Sequence, residues 1–198
     1  MRRITPLVRT LFAGVLVAAA ITGIAAPAQA AIDPPTGGWA ELFNPQRPLI
    51  NGTYQVCLDV PSGTTSTGVT LQMYHCHGYA SNGAPQRWVF THLSDGSYWV
   101  YNQSNLLCLT EDPSAGQSSG VVKQYECGTQ DAQTWRIVPD PTAPDTRFLL
   151  YNTSSSPRYA NTCLNASNGL FTWDLFFGLC SFDLQGNPTN YLQVWALG

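Results

Sequence analysis

Cys57-Leu58-Asp59-Val60, then Gln72-Met73-Tyr74-His75-Cys76, then Gln86-Arg87-Trp88 is the stretch that decides the fold, because its framework returns twice more along the chain. Cys57 and Cys76 are 19 residues apart, Cys108 and Cys127 are 19 apart, and Cys163 and Cys180 are 17 apart. Behind each pair comes Gln-x-Trp, as Gln86-Arg87-Trp88, Gln133-Thr134-Trp135 and Gln193-Val194-Trp195. Ahead of each pair stands an apolar run ending in aromatic-Asn, at Phe43-Asn44, Tyr101-Asn102 and Tyr151-Asn152. Several markers in one register, at a period of about 50 residues, are the signature of an internal repeat. The repeats run over 38–94, 95–144 and 145–198, with the Pro-rich stretch 139–144 as the second joint and 31–37 as a short mobile tail.

Within each repeat the apolar residues alternate or form short runs, as in Thr70-Leu71-Gln72-Met73-Tyr74 and Trp88-Val89-Phe90, and Gly, Pro, Asn, Ser and Asp fill the gaps. That pattern predicts short strands and turns, and no window sustains helical spacing with caps. One such unit cannot bury its apolar face alone, so the three must share one core. The expectation is an all-β, closed body with internal three-fold symmetry.

Composition agrees. Only 11% of the 198 residues are charged, while 44% are hydrophobic and 12% aromatic, enough apolar surface for a packed core. The net charge is -3 and Lys123 is the single lysine, so the basic surface that phosphate-backbone binding needs is missing and nucleic acid is excluded as a partner.

Arg2, Arg3 and Arg9, an uncharged apolar run over 11–26 and the small-x-small site Ala28-Gln29-Ala30 read as a secretory signal peptide over 1–30. The run is shorter than the roughly 20 residues of a membrane-spanning helix, and Pro27 closes it. Removing its three arginines takes the net charge from -3 to -6, which describes an acidic, secreted, extracellular protein with no membrane span.

Export places all six cysteines in an oxidising compartment, where pairing is expected. The triplicated spacing favours the connectivity in which each repeat closes its own loop: Cys57 with Cys76, Cys108 with Cys127, Cys163 with Cys180. Each such loop stabilises by about 3 kcal/mol on chain-entropy grounds. His75-Cys76-His77 suggests a metal site, but the pairing uses the cysteine and no C-x-x-C accompanies it, so neither metal nor cofactor is expected.

Together these motifs resemble the ricin B-chain type of β-trefoil lectin, found also as a carbohydrate-binding module of secreted glycosidases. The resemblance implies a β-trefoil in which Trp88, Trp135 and Trp195 pack in the shared core and Gln86, Gln133 and Gln193 tie strands together. It also implies a shallow sugar cup in each repeat. A carboxylate after Cys-Leu accepts from vicinal hydroxyls, because a charged acceptor makes the stronger bond. An aromatic two residues before the second cysteine stacks on the sugar's apolar face.

The first repeat has these parts in Asp59, Gln72 and Tyr74. It departs at Pro85, where the family commonly has Asn, and Asn82 or His77 are the candidate substitutes. In the second repeat Thr110 replaces the carboxylate, Lys123 the Gln and Ala132 the Asn, while Tyr125 keeps the ring; Glu111 and Asp112 read as solvated loop carboxylates. In the third, Asn165 and Gly178 stand in the key places, near Trp173, Phe176 and Phe177.

Gly116-Gln117-Ser118-Ser119-Gly120 matches a serine-hydrolase motif but lies between paired cysteines in a β repeat, with no later histidine, so it reads as a turn. Four Asn-x-Ser/Thr sequons, at Asn51, Asn102, Asn152 and Asn165, matter only in a glycosylating host. With three residues after Trp195, no catalytic domain is expected to follow. The sequence therefore predicts a secreted, non-enzymatic lectin for a galactose-like or xylan-type glycan or polysaccharide. The alternative is a protein-binding trefoil, a toxin receptor-binding subunit or a protease inhibitor, using Phe171, Trp173, Phe176 and Phe177.

Overall fold

The computed structural model describes residues 32, 34–35, 37–45, 55–78, 81–112, 120–154, 161–166, 175–183 and 188–198, with Ser81 and Asn82 described in backbone only. The predicted signal peptide, Asn51, Phe171, Trp173 and Gly116 to Ser119 lie outside them. Among the described residues no helix is long and apolar enough to cross a membrane.

Among the described residues thirteen short strands form one hydrogen-bonded network: β1 Ala40–Phe43, β2 Val56–Asp59, β3 Val69–Thr70, β4 Gln72–His75, β5 Arg87–His92, β6 Tyr98–Asn102, β7 Leu107–Asp112, β8 Gly120–Glu126, β9 Thr134–Pro139, β10 Phe148–Asn152, β11 Thr162–Ala166, β12 Leu175–Leu179 and β13 Ala196–Leu197. The protein is an all-β trefoil. Each repeat contributes a cross-strand pair of the same register: β2 with β4, β7 with β8, β11 with β12. The last strand returns to the first, Leu42 opposite Leu197, so both ends of the described body are paired.

Strand alternation sorts the side chains. On β2 and β4, Val56, Leu58 and Met73 point inward and are fully buried, and Asp59, Gln72 and Tyr74 share the opposite face. The three Gln-x-Trp tryptophans are all 0% exposed, and each indole makes the same bond across its repeat. Trp88 Nε1 donates to the Leu58 carbonyl at 3.0 Å, Trp135 Nε1 to Leu109 at 3.2 Å, and Trp195 Nε1 to Leu164 at 2.9 Å. Burying three indoles requires three acceptors, and the repeat supplies one per unit.

Each glutamine of the motif spans two backbone groups in the same way. Gln86 accepts from His77 N at 2.8 Å and donates to the His75 carbonyl at 3.0 Å. Gln133 accepts from Gly128 N at 2.8 Å and donates to the Glu126 carbonyl at 3.0 Å; Gln193 accepts from Ser181 N at 2.9 Å and donates to the Leu179 carbonyl at 2.7 Å. A buried amide satisfied on both sides holds the end of one strand to the next. Cys57–Cys76, Cys108–Cys127 and Cys163–Cys180 are disulfide-bonded as the spacing predicted.

Within 31–37, read from the sequence as a mobile tail, Ile32 packs against the core and Pro34 is buried. Leu106 and Asn161, two residues before Cys108 and Cys163, both hold positive φ, 58° and 63°. Asparagine tolerates that region; a leucine there is strained.

Candidate functional site

The first repeat holds a pocket of about 310 Å³ lined by Asp59, Val60, Ser62, Gly63, Gln72, Tyr74, His77 and Pro85. Its parts come together through register. Asp59 faces Gln72 and Cys57 faces Tyr74 across the β2–β4 pair, so the Cys57–Cys76 bridge sits beside the ring and anchors both strands. The Gln72 amide donates to Asp59 Oδ2 at 2.8 Å. At Pro61–Gly63 the chain turns sharply, Ser62 taking φ 56°, and a Cβ added at Gly63 would meet Pro85 Cγ at 3.1 Å. Pro85 is thus part of the wall, and no side-chain donor stands there.

Asp59 is 4% exposed. Burial pushes its carboxyl above the ordinary range; the amides of Gln72 and Gln86 and the neighbouring His77 and His75 work against that push. Tyr74 lies in a small cluster of rings, 4.0 Å from His75 and 5.6 Å edge-on from His77 between centroids. The pocket therefore offers one acidic acceptor at its base, amide and imidazole nitrogens beside it, and a flat ring on its wall. Such a set suits a neutral ligand with adjacent hydroxyls and one apolar face.

Of the two substitutes for the missing amide at position 85, His77 lines the pocket. Asn82 belongs to the short turn Ser81–Gln86, and its side chain lies outside the described ones. His77, named from the sequence as one of two candidate substitutes, is brought to the pocket by the grip of Gln86 on its backbone N–H.

The second repeat puts different chemistry in the same frame. Thr110 stands opposite Lys123 and Cys108 opposite Tyr125, the register of the first repeat. Thr110 donates to the Cys108 carbonyl at 2.9 Å and accepts from Gln133 at 3.0 Å. The Lys123 ammonium pairs with Asp112 Oδ2 at 2.6 Å, and the Tyr125 hydroxyl donates to the same oxygen at 3.0 Å. The groups that would meet a ligand bond one another. The reading of Glu111 and Asp112 as solvated loop carboxylates is corrected: both belong to β7, Asp112 is engaged by Lys123 and Tyr125, and Glu111 is 4% exposed.

In the third repeat Asn165 is buried, donating to the Cys163 carbonyl at 2.7 Å and accepting from Asn190 at 3.2 Å. Gly178 faces Cys163 where the ring would stand, and a Cβ there would lie 3.3 Å from the Asn165 amide. Phe177 is fully buried and stacks on Trp135 at 5.0 Å. Three of the four sequon asparagines, Asn102, Asn152 and Asn165, are at most 1% exposed. Among the described residues, Glu41, Cys57 and Cys76 have the mutual spacing of metal ligands, but the disulfide occupies both sulfurs.

Residues 46–170 match the family described as Ricin-type beta-trefoil lectin domain. The chain belongs to that family. Solved structures with the same fold include the designed three-fold symmetric protein ThreeFoil, with a TM-score of 0.57 and 23% identity, covering 81% of this chain and 97% of that one. The exo-beta-1,3-galactanase 1,3Gal43A from Clostridium thermocellum aligns with a TM-score of 0.56 and 16% identity over 82% of this chain, and the hemolytic lectin CEL-III with 0.53 and 21% over 80%. This lectin-type chain spans 30% of the galactanase and 29% of the hemolytic lectin. No curated protein matches it.

Proposed function

We propose that this ricin-type trefoil is a secreted, non-catalytic carbohydrate-binding protein whose sugar pocket is in the first repeat. The observation that carries the reading is the buried Asp59 carboxyl, bonded to Gln72 and sharing one pocket with Tyr74 and His77. Asp59 takes two vicinal hydroxyls of a galactose-like or xylan-type glycan, Gln72 and His77 orient it, and the Tyr74 ring stacks on its C–H face. The N-terminal charge and hydropathy pattern over 1–30 supports export. One shallow pocket binds weakly, so a polymeric glycan is the target on which such molecules gain avidity.

The protein-partner reading rested on four aromatic residues of the third repeat. With Phe177 in the core against Trp135, that surface loses one of its rings, and the glycan reading is preferred. A glycan array and polysaccharide pull-down with wild type and Asp59→Ala tests the proposal. Binding by the wild type that the variant loses supports it; a wild type that captures no glycan on either assay overturns it.

A further inference from the structure

At position 111 the second repeat departs in chemistry from the other two. Val60, Glu111 and Ala166 each follow the Cys-Leu-x element of their repeat, and the Val60 and Glu111 N–H groups make the same bond, to the carbonyls of Pro85 and Ala132. Val60 and Ala166 are fully buried apolar residues of the core. Glu111 occupies the corresponding inward place with a carboxyl group, 4% exposed, on the face of β7 that also carries buried Leu107 and Leu109.

The surroundings are shaped to it. Gly120, which opens β8, leaves the room: a Cβ there would lie 2.8 Å from Glu111 Cγ and Oε1. Two side chains of the third repeat reach across to its Oε2, Asn152 Nδ2 at 2.8 Å and Thr162 Oγ1 at 2.6 Å. One carboxyl thus ties β7 of the second repeat to β10 and β11 of the third.

Neither donor is charged. On the described packed strands the titratable groups are Tyr98 and Tyr101 of β6, then Asp112, Lys123 and Tyr125, which bond one another on the opposite face, then Arg136 and exposed Glu126, and Tyr151, whose hydroxyl donates to Asn161. Among the described residues, an ionised Glu111 would be a buried negative charge held by two neutral hydrogen bonds, a costly state.

We propose that Glu111 is a proton-operated clasp between the second and third repeats: ionising the carboxyl strengthens its bonds from Asn152 and Thr162 but costs more in buried charge than they return, so the joint is the more stable with the carboxyl neutral. Burial pushes this carboxyl up from 4.5 to about 7, against the opposing pull of Thr162 and Asn152. Its folded-state value lies above the unfolded one, so the folded chain binds the proton more tightly between them. The contribution to stability is complete below about pH 4.5 and is lost as pH rises through about 7. Across that window the unfolding equilibrium constant rises on the order of 100-fold from this group alone. The trefoil is therefore a firmer body in mildly acidic surroundings than in alkaline ones.

The test is thermal unfolding of the full chain at pH 5.5 to 8.5 for wild type, Glu111→Gln and Glu111→Val. Gln keeps the shape and an acceptor without the charge, and Val restores the residue of the first repeat. The wild-type Tm is expected to fall with rising pH by several degrees more than that of either variant. Curves that run parallel overturn the proposal. Should neither variant fold, the Glu111 carboxyl carbon followed by NMR in the wild type decides: titration near neutrality supports the clasp, and titration in the ordinary carboxylate range overturns it.

Discussion

Asp59 and Gln72 face each other across the β2–β4 pair, and the Gln72 amide donates to Asp59 Oδ2 at 2.8 Å. This bond fixes one carboxylate oxygen and leaves the acid poised at the base of a pocket. At the same register point the second repeat has Thr110 with Lys123 and the third has Asn165 with Phe176. The difference between the repeats lies in this one cross-strand pair more than in the backbone.

Replacing Asp59 separates binding from stability. Asp59→Asn keeps an acceptor for Gln72 but removes the charge, and hydrogen bonds to a charged group are worth about 1.5–3 kcal/mol, so glycan affinity should fall roughly tenfold to a hundredfold. The same change should raise the Tm at pH 7. Burial holds the folded carboxyl above 3.8, so ionisation at neutral pH opposes folding, and the gain should vanish as pH drops below that value. Titration calorimetry and a pH series of melting curves read the two effects.

For Tyr74 the ring should matter and the hydroxyl should not. Tyr74→Phe is expected to bind within a factor of about two of wild type, whereas Tyr74→Ala, losing the stacking face, should weaken binding about tenfold. Equal losses in both variants would show that the ring is not the contact.

A second pocket should be recoverable in the second repeat. Thr110→Asp with Lys123→Gln recreates the acid–amide pair beside Tyr125 and removes the ammonium that holds Asp112. Calorimetric stoichiometry is expected to move from one site toward two in the double variant, with no change for Lys123→Gln alone.

Leu106→Asn should stabilise the fold. Leu106 is 65% exposed with φ 58°, and Asn161 already fills the equivalent turn at φ 63°. Relief of left-handed strain at an exposed side chain is worth about 1 kcal/mol, visible as a higher urea midpoint with unchanged glycan binding.

The repeat markers were legible because each answers a local requirement. Two cysteines 17 or 19 residues apart close a strand pair, and a tryptophan two positions after the motif glutamine must find core and an acceptor. The first-repeat residues Asp59, Gln72 and Tyr74 were singled out by the resemblance to the ricin-type family, and the β2–β4 register puts them on one face. His77 and Asn82 were both offered by the sequence, which could not choose between them, because the place of His77 depends on Gln86, nine residues away. Glu111 was misread because adjacent acids in a polar stretch look solvated; on a strand, consecutive side chains go to opposite faces, and one of the two had to go inward.

By itself, then, the sequence determined a three-fold, all-β body with local disulfides, and the family resemblance singled out the first repeat as the one with an acid, an amide and a ring in the expected places. Periodicity and spacing are properties of neighbours along the chain, and they survive in one dimension. Only the tertiary structure decided which polar groups are already bonded to one another. It engages Lys123 and Tyr125 with Asp112, ties Asn165 to Asn190, and sets Glu111 beneath Asn152 and Thr162, 41 and 51 residues away. Whether a side chain is open to a ligand or buried against another repeat depends on what packs over it, and that is settled when the three repeats close around a common core.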